Sequence, residues 1–251
     1  MPDTATQAAD LLLAVRAGKA APLTDLPEAL RPADRAQAYQ IQHKVAQSFG
    51  GIGGWKVGAA GPEIIQCGAM PAETVVPSPA TLASSTHTLR GIEAEVAFRV
   101  GHDLPPREQP YSRAEVIAAL ATAHPIIEVL ESRFVDADAI SPFTNLADTQ
   151  SHGGFVFGPG MPDWYDIDFA NEVVEQYVDG ELQMTHKGNP AGDMIRLVEW
   201  LANTGSVWAG GLKAGQFVTC GSWTGKRSVG PEAKVRVRFP SLGEAFVTYA
   251  V

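Results

Sequence analysis

GIEAEVAFR, residues 91–99, is the stretch from which the rest of the chain is read. Glu93 and Glu95 stand two apart among the β-formers Ile92, Val96, Phe98 and Val100. A strand repeats every two residues, so both carboxylates fall on one face. Carboxylates held side by side raise each other's pKa unless a cation lies between them. Their oxygens suit hard cations such as Mg2+ or Mn2+. A second run lies in HPIIEVLESR at residues 124–133, whose part 125–130 is apolar but for Glu128 near its middle. Such a run reads as buried, and a buried carboxylate without a partner is costly. Glu128 therefore needs a cation shared with Glu93 and Glu95, or else Arg133 or Lys56. The plainer reading of E-x-E is one solvated face of a half-exposed sheet, or a structural ion-pair network. The first reading predicts a facial triad of oxygens with positions open for substrate and water.

Working outward, GGIGGWKVG at residues 50–58 puts glycines around a short strand near Trp55. Close backbone approach to a strand or ligand is a standard reason for such glycines. Lys56 is the only charge there: a surface lysine, or the group that holds an anionic substrate. The phosphate-loop spacing is absent. In NLADTQSHGGFVFG, residues 145–158, the polar side chains of Asp148, Thr149, Ser151 and His152 crowd before Gly153 and Gly154. Hydroxyls and free N–H groups beside glycines can seat an anion; they can equally close a turn on themselves. The same pair of readings applies to Gly221–Gly225, which contains Ser222. Ser151 and His152 lack the G-x-S-x-G elbow of a serine hydrolase.

The chain has 251 residues, 45% hydrophobic, 19% charged, with a formal net charge of -9. That is enough for a large core. With no block of Lys or Arg, nucleic acid and anionic membranes are poor partners. Cys67 and Cys220 fit no metal spacing and imply buried thiols in a reduced, cytoplasmic setting. The N-terminus does not read as a signal peptide, and no stretch approaches a membrane-spanning length. Helices are predicted over residues 4–18, 32–49, 112–122 and 189–204, the third opened by a Ser112/Glu115 capping box. Strands are predicted at 125–131, 155–158, 216–220, 234–238 and 245–251. A hairpin is expected over 169–185 around Asp179-Gly180, and 63–85 reads as a loop with short extended pieces. His124 reads as the first residue before a strand, not as a ligand. Strands crowd the second half with few helices between them, which argues for an α+β fold with a large mixed or antiparallel core. Residues 1–50 read as an N-terminal helical segment packed on that core, and 51–251 as the catalytic domain.

These residues resemble a known group. The ordered motifs GWKVG (54–58), IEAE (92–95), IIEVLESR (126–133), LADTQSHGGFVFG (146–158), NPAGD (189–193) and LKAGQFVTCGSWTG (212–225) are similar to those of the 2-keto-4-pentenoate hydratase and 4-oxalocrotonate decarboxylase group of the fumarylacetoacetate hydrolase superfamily. The similarity runs from about residue 36 to the C-terminus. It implies a mixed β-roll core with outer helices, a homo-oligomer, and Mg2+ or Mn2+ held by Glu93, Glu95 and Glu128. It puts Lys56 at the substrate and Ser151, Gly153, Thr219 and Ser222 near the substrate carboxylate. The implied reaction is hydration of 2-hydroxypenta-2,4-dienoate to 4-hydroxy-2-oxopentanoate, a step of aromatic catabolism. Decarboxylation of 4-oxalocrotonate, C–C hydrolysis of an acylpyruvate, or a non-enzymatic dicarboxylate-binding or partner subunit are the alternatives. The chain departs from the group in one respect. Where hydratases carry an acid in a Pro-Asp-aromatic-Gly segment, it reads Met70-Pro71-Ala72-Glu73-Thr74, which leaves Glu73 as the candidate catalytic acid. His152 replaces a residue that is often small.

Overall fold

The computed structural model describes residues 2–59 and 65–251. Two helices open the chain. α1 (Thr4–Arg16) is capped by Asp3, which accepts from Thr6 N at 2.7 Å. α2 (Arg35–Gln47) is capped by Asp34. Ala8 and Leu12 of α1 and Ile41 and Val45 of α2 belong to the same apolar core as Trp55 and Val57. Gln42, fully buried, accepts from Ala69 N at 2.9 Å and donates to Leu146 O. A buried amide must be satisfied on both ends, so this residue pins α2 to the layer beneath it.

That layer begins with β1 (Ile52–Ala59), β2 (Ile65–Pro71), β3 (Val75–Pro77), β4 (Ala80–Ala83) and β5 (Gly91–Val100). α3 (Arg113–Ala119) leads into β6 (Leu120–Leu130), and α4 (Pro142–Ala147) into β7 (His152–Phe157). Then come the hairpin β8 (Val173–Val178) and β9 (Glu181–Lys187), α5 (Met194–Trp200), β10 (Phe217–Thr219), β11 (Arg227–Ser228), β12 (Lys234–Phe239) and β13 (Gly243–Ala250). One sheet has the order β2-β1-β10-β5-β6-β7-β3, with β11 on β5; the other has the order β4-β13-β12-β8-β9. Both are mixed: β1 with β10, β3 with β7 and β4 with β13 run parallel, and the remaining pairs antiparallel. β12 and β13 pack across β6. The architecture is thus α+β, two mixed sheets with helices outside them.

The elements depart from expectation in three places. The segment read as a loop with short extended pieces holds β3 and β4 as such pieces but also the seven-residue β2; residues 63 and 64, where that prediction started, lie outside the described residues. β2 lies against α2 on one side and near β7 on the other, and a strand covered on both faces loses the apolar–polar alternation that marks a strand in sequence. The third helix has its capping box but stops at Ala119. Leu120 turns extended and pairs with Val100, so β6 starts five residues before the predicted strand and takes in His124. The last helix starts at Met194 and not near residue 189. Asp193 caps it by accepting from Ile195 N and Arg196 N, while Gly192, with φ of 70°, belongs to the turn before it. The hairpin turn is as read: Asp179 and Gly180 have φ of 53° and 89°, the geometry of a type I′ turn.

Candidate metal and substrate site

The register of four neighbouring strands builds the site. Glu93 on β5 lies directly opposite Glu128 on β6, and Glu95 follows Glu93 on the same face. β10 pairs with β5 and runs parallel to β1, which brings Thr219 beside Lys56. One oxygen from each of Glu93, Glu95 and Glu128 lies within 4.8 Å of the others. Glu95 and Glu128 are only 2% and 1% exposed, which removes the solvated-face reading. The group lines a cavity of about 360 Å³, within the usual range for a small-molecule site.

Charge at this face is unbalanced. Lys56 Nζ donates to Glu128 Oε1 at 2.5 Å and to Gln150 O at 3.1 Å. Burial pushes the ammonium's pKa down, but Glu128, Glu93 and Glu95 together outweigh it and hold the value above that of a free lysine. Burial also pushes Glu128 up; Lys56 and His152 outweigh that and hold it below the usual range. Glu93 is raised by burial and then by Glu128. Glu95 is raised well above the usual range, first by burial and then by Glu128 and Glu93; the Thr219 hydroxyl, which donates to Glu95 Oε2, opposes this. Lys56 is the ammonium hydrogen-bonded within the trio, and Lys226 at the cavity wall adds a second positive charge that acts on Glu93. The donors are all oxygen. Oxygens each about 2.0–2.6 Å from a shared cation lie within about 5 Å of one another, as these do, so the residues fit a hard divalent ion.

Arg133, one candidate partner for Glu128, goes elsewhere. Its guanidinium pairs with buried Asp148 at 2.5 Å and donates to Asp148 O and His152 O. This buried pair fixes the loop between α4 and β7. In that loop Thr149, Gln150 and Ser151 have φ of 53°, 52° and 60°. A left-handed conformation costs a non-glycine residue about 1–2 kcal/mol. Here it is held by Thr149 N to Leu146 O, Gln150 N to Asn145 O and Glu131 N to Ser151 O. The outcome is a backbone carbonyl, that of Gln150, aimed at Lys56. Strain of this kind tends to collect at functional sites.

Of the residues singled out in the sequence, Lys56, Glu93, Glu95, Glu128, Ser151 and Ser222 line the one cavity. Ser222 Oγ lies near Glu93 and is buried without a hydrogen-bond partner among the described residues. Thr219 stands behind Glu95. Gly153 is not at this cavity. A side chain there would meet Glu131 Cβ at 2.7 Å and Val129 O at 3.0 Å, so the glycine serves the close approach of β7 to β6. Glu73 is not there either. It lines a separate cavity of about 460 Å³ with Arg16, Phe49 and Thr74, because the short 3-10 turn after β2 carries it toward Phe49, whose carbonyl takes the Glu73 N–H. Sequence reasoning missed Asn145, Gln150 and Lys226 at the cavity. It also missed Gly68, opposite Lys56 on β2, where an added Cβ would lie 2.9 Å from Lys56 Cγ. Gln150 could have been found from its place in the serine–glycine motif; Gly68 carried no signal. Both thiols are buried as expected, with that of Cys67 pushed up to about 12 by burial.

No family model matches the chain. The 2-keto-4-pentenoate hydratase 2 of Dechloromonas aromatica is 26% identical over 259 residues, 98% of this chain and 98% of its own length. Among solved structures, the 4-oxalocrotonate decarboxylase from Pseudomonas putida G7, complexed with magnesium and adipate, matches with a TM-score of 0.80 at 22% identity, over 98% of this chain and 97% of its own. In sequence the chain is similar to 2-keto-4-pentenoate hydratases and 4-oxalocrotonate decarboxylases. A further relative, the 2-keto-4-pentenoate hydratase of Burkholderia vietnamiensis, is 30% identical over 161 residues, 63% of this chain and 60% of its own length. A fumarylacetoacetate hydrolase from Exiguobacterium antarcticum shares the fold, with a TM-score of 0.60 at 14% identity, over 81% of this chain and 76% of its own. The named relatives are enzymes. Among the described residues no helix is long and apolar enough to cross a membrane.

Proposed function

We propose that this chain is a divalent-cation-dependent lyase that hydrates 2-hydroxypenta-2,4-dienoate, or a close unsaturated 2-oxo acid, to a 4-hydroxy-2-oxo acid. One observation carries the reading: three converging carboxylates and Lys56 share the wall of one cavity. Glu93, Glu95 and Glu128 would hold Mg2+ or Mn2+. A bound cation supplies Lewis-acid polarisation of a chelating carboxylate and 2-oxo oxygen. In the metal-free site the three carboxylates outweigh burial and hold the Lys56 pKa above that of a free lysine, so there the ammonium is a donor. It can pair with the substrate carboxylate or deliver a proton as general acid. Hydration needs such a proton: a proton ends at C5, a hydroxyl at C4, and the enol proton is exchanged for one at C3. The Ser222 hydroxyl beside Glu93 lies at the cavity wall, where it can turn to a substrate carboxylate oxygen. Leu89, Leu130 and Val57 supply apolar wall for the carbon chain.

A second reading, decarboxylation of a 4-oxalocrotonate-like dicarboxylate, has its own support. Glu73 lies outside the cavity, which removes the expected acid for positioning water, and Lys226 lines the cavity as an added cation. One assay separates them: loss of the conjugated absorbance of fresh 2-hydroxypenta-2,4-dienoate with Mg2+ or Mn2+, then with excess chelator, and CO2 release from 4-oxalocrotonate in parallel. Chelator-sensitive hydration supports the first reading, and CO2 release without hydration supports the second. No metal-dependent turnover of either overturns the lyase proposal.

A further inference from the structure

His152 begins β7 and is fully buried. Its ring stands between two polar groups. Nε2 is 2.8 Å from the Thr74 hydroxyl. Nδ1 lies 3.6 Å from Glu128 Oε1 and meets hydrogen-bond geometry with nothing among the described residues. An orphaned ring nitrogen in a dry interior is costly, and this one faces a buried carboxylate. A neutral imidazole carries one N–H. The Thr74 hydroxyl stands 2.7 Å from Pro71 O and 2.8 Å from Nε2 and has one proton to give; the carboxylate on the Nδ1 side favours the tautomer with the ring proton on Nδ1, and Thr74 then turns its proton to Nε2.

Lys56 and His152 address the same Glu128 oxygen, Oε1. The ring itself is anchored from behind. The His152 carbonyl accepts from Arg16 at 2.8 Å and from Arg133 at 2.9 Å, and Arg133 is in turn held by Asp148. Ligating carboxylates are commonly oriented by such supporting groups, whose loss costs about 10–100-fold in metal affinity.

We propose that His152 is a positioning residue for the cation site: its Nδ1–H and the Lys56 ammonium together fix Glu128 so that its second oxygen turns toward Glu93 and Glu95. The proposal rests on the reading of the three glutamates as cation ligands. Neither Thr74 nor His152 lines the substrate cavity, so the effect is on the ligand and not on substrate contact.

The test is Mn2+ binding, followed by the loss of the free-ion electron paramagnetic resonance signal, for the full-length wild type and for His152→Asn, His152→Gln and His152→Ala. The Asn amide nitrogen reaches where Nδ1 was, and that of Gln where Nε2 was. Expected are near-wild-type affinity in His152→Asn and a loss of about 10–100-fold in His152→Gln and His152→Ala. Equal weakening in the Asn and Gln variants would reduce His152 to packing and overturn the proposal, as would wild-type affinity in His152→Ala. The Asn/Gln pair decides the question even where His152→Ala does not fold. A wild type that binds no Mn2+ overturns the cation reading itself, an outcome distinct from a failure among the variants.

Discussion

At the scale of single residues, Glu95 concentrates the tension in the site. Its folded carboxyl titrates above its unfolded value of 4.5, so the native state binds the proton more tightly than the unfolded one. The contribution of Glu95 to the stability of the metal-free protein is therefore full below about pH 4.5 and is lost as pH rises, until the folded carboxyl has ionised. Glu95→Gln keeps the shape and removes the charge. It should flatten that acid-side slope and raise the thermal midpoint in chelator at neutral pH. It should also cost at least the roughly 10–100-fold in Mg2+ affinity that loss of a mere supporting group costs. Thermal melts from pH 4 to 8 with and without Mg2+ check both halves. Glu73 is the opposite case: Glu73→Gln should leave turnover and metal affinity unchanged in steady-state assays, since its carboxylate lines another cavity. The acids and Lys56 were legible because spacing of two fixes a face and a charge within an apolar run demands a partner. The position of Glu73 was not, because a short 3-10 turn decides it.

At the scale of elements, the site depends on strands lying closer than side chains would normally allow. Gly68 of β2 leaves room for the Lys56 stem, and a methyl there would also lie 2.9 Å from Thr149 Cγ2. Gly68→Ala should destabilise the fold by about 1–3 kcal/mol through overpacking, and it should displace Lys56 enough to lower kcat/KM. Urea unfolding paired with kinetics tests this; full activity with the methyl in place would show that Lys56 tolerates the shift. β5 and the Asp179-Gly180 hairpin were readable from period and turn chemistry. β2 was not, because burial on both faces erases the alternation. The first five residues of β6 were not, because they follow α3 without a break and their extended backbone is secured by pairing with β5, a contact distant in sequence.

At the scale of the molecule, a cation that binds only the folded state stabilises it by mass action. Mg2+ at 100 times its dissociation constant adds about 2.7 kcal/mol, which for a chain of this size raises the melting temperature by roughly 5–10 °C. Differential scanning fluorimetry in Mg2+ and in chelator measures it directly, and no shift at millimolar Mg2+ counts against the site. The α+β class was legible, whereas the strand order was not. β10 comes from residues 217–219 yet lies between β1 and β5, and no local pattern announces such an insertion. That insertion has a consequence for how the chain is made. Closing the long loops that bring β1, β5 and β10 together carries an entropic cost before their contacts can repay it. While a ribosome has yet to release the last third of the chain, Glu95 has no Thr219 to bond and β1 has no bridge to β5. Lys56, carried on β1, is therefore set beside the glutamates of β5 and β6 only once that last part of the chain is made.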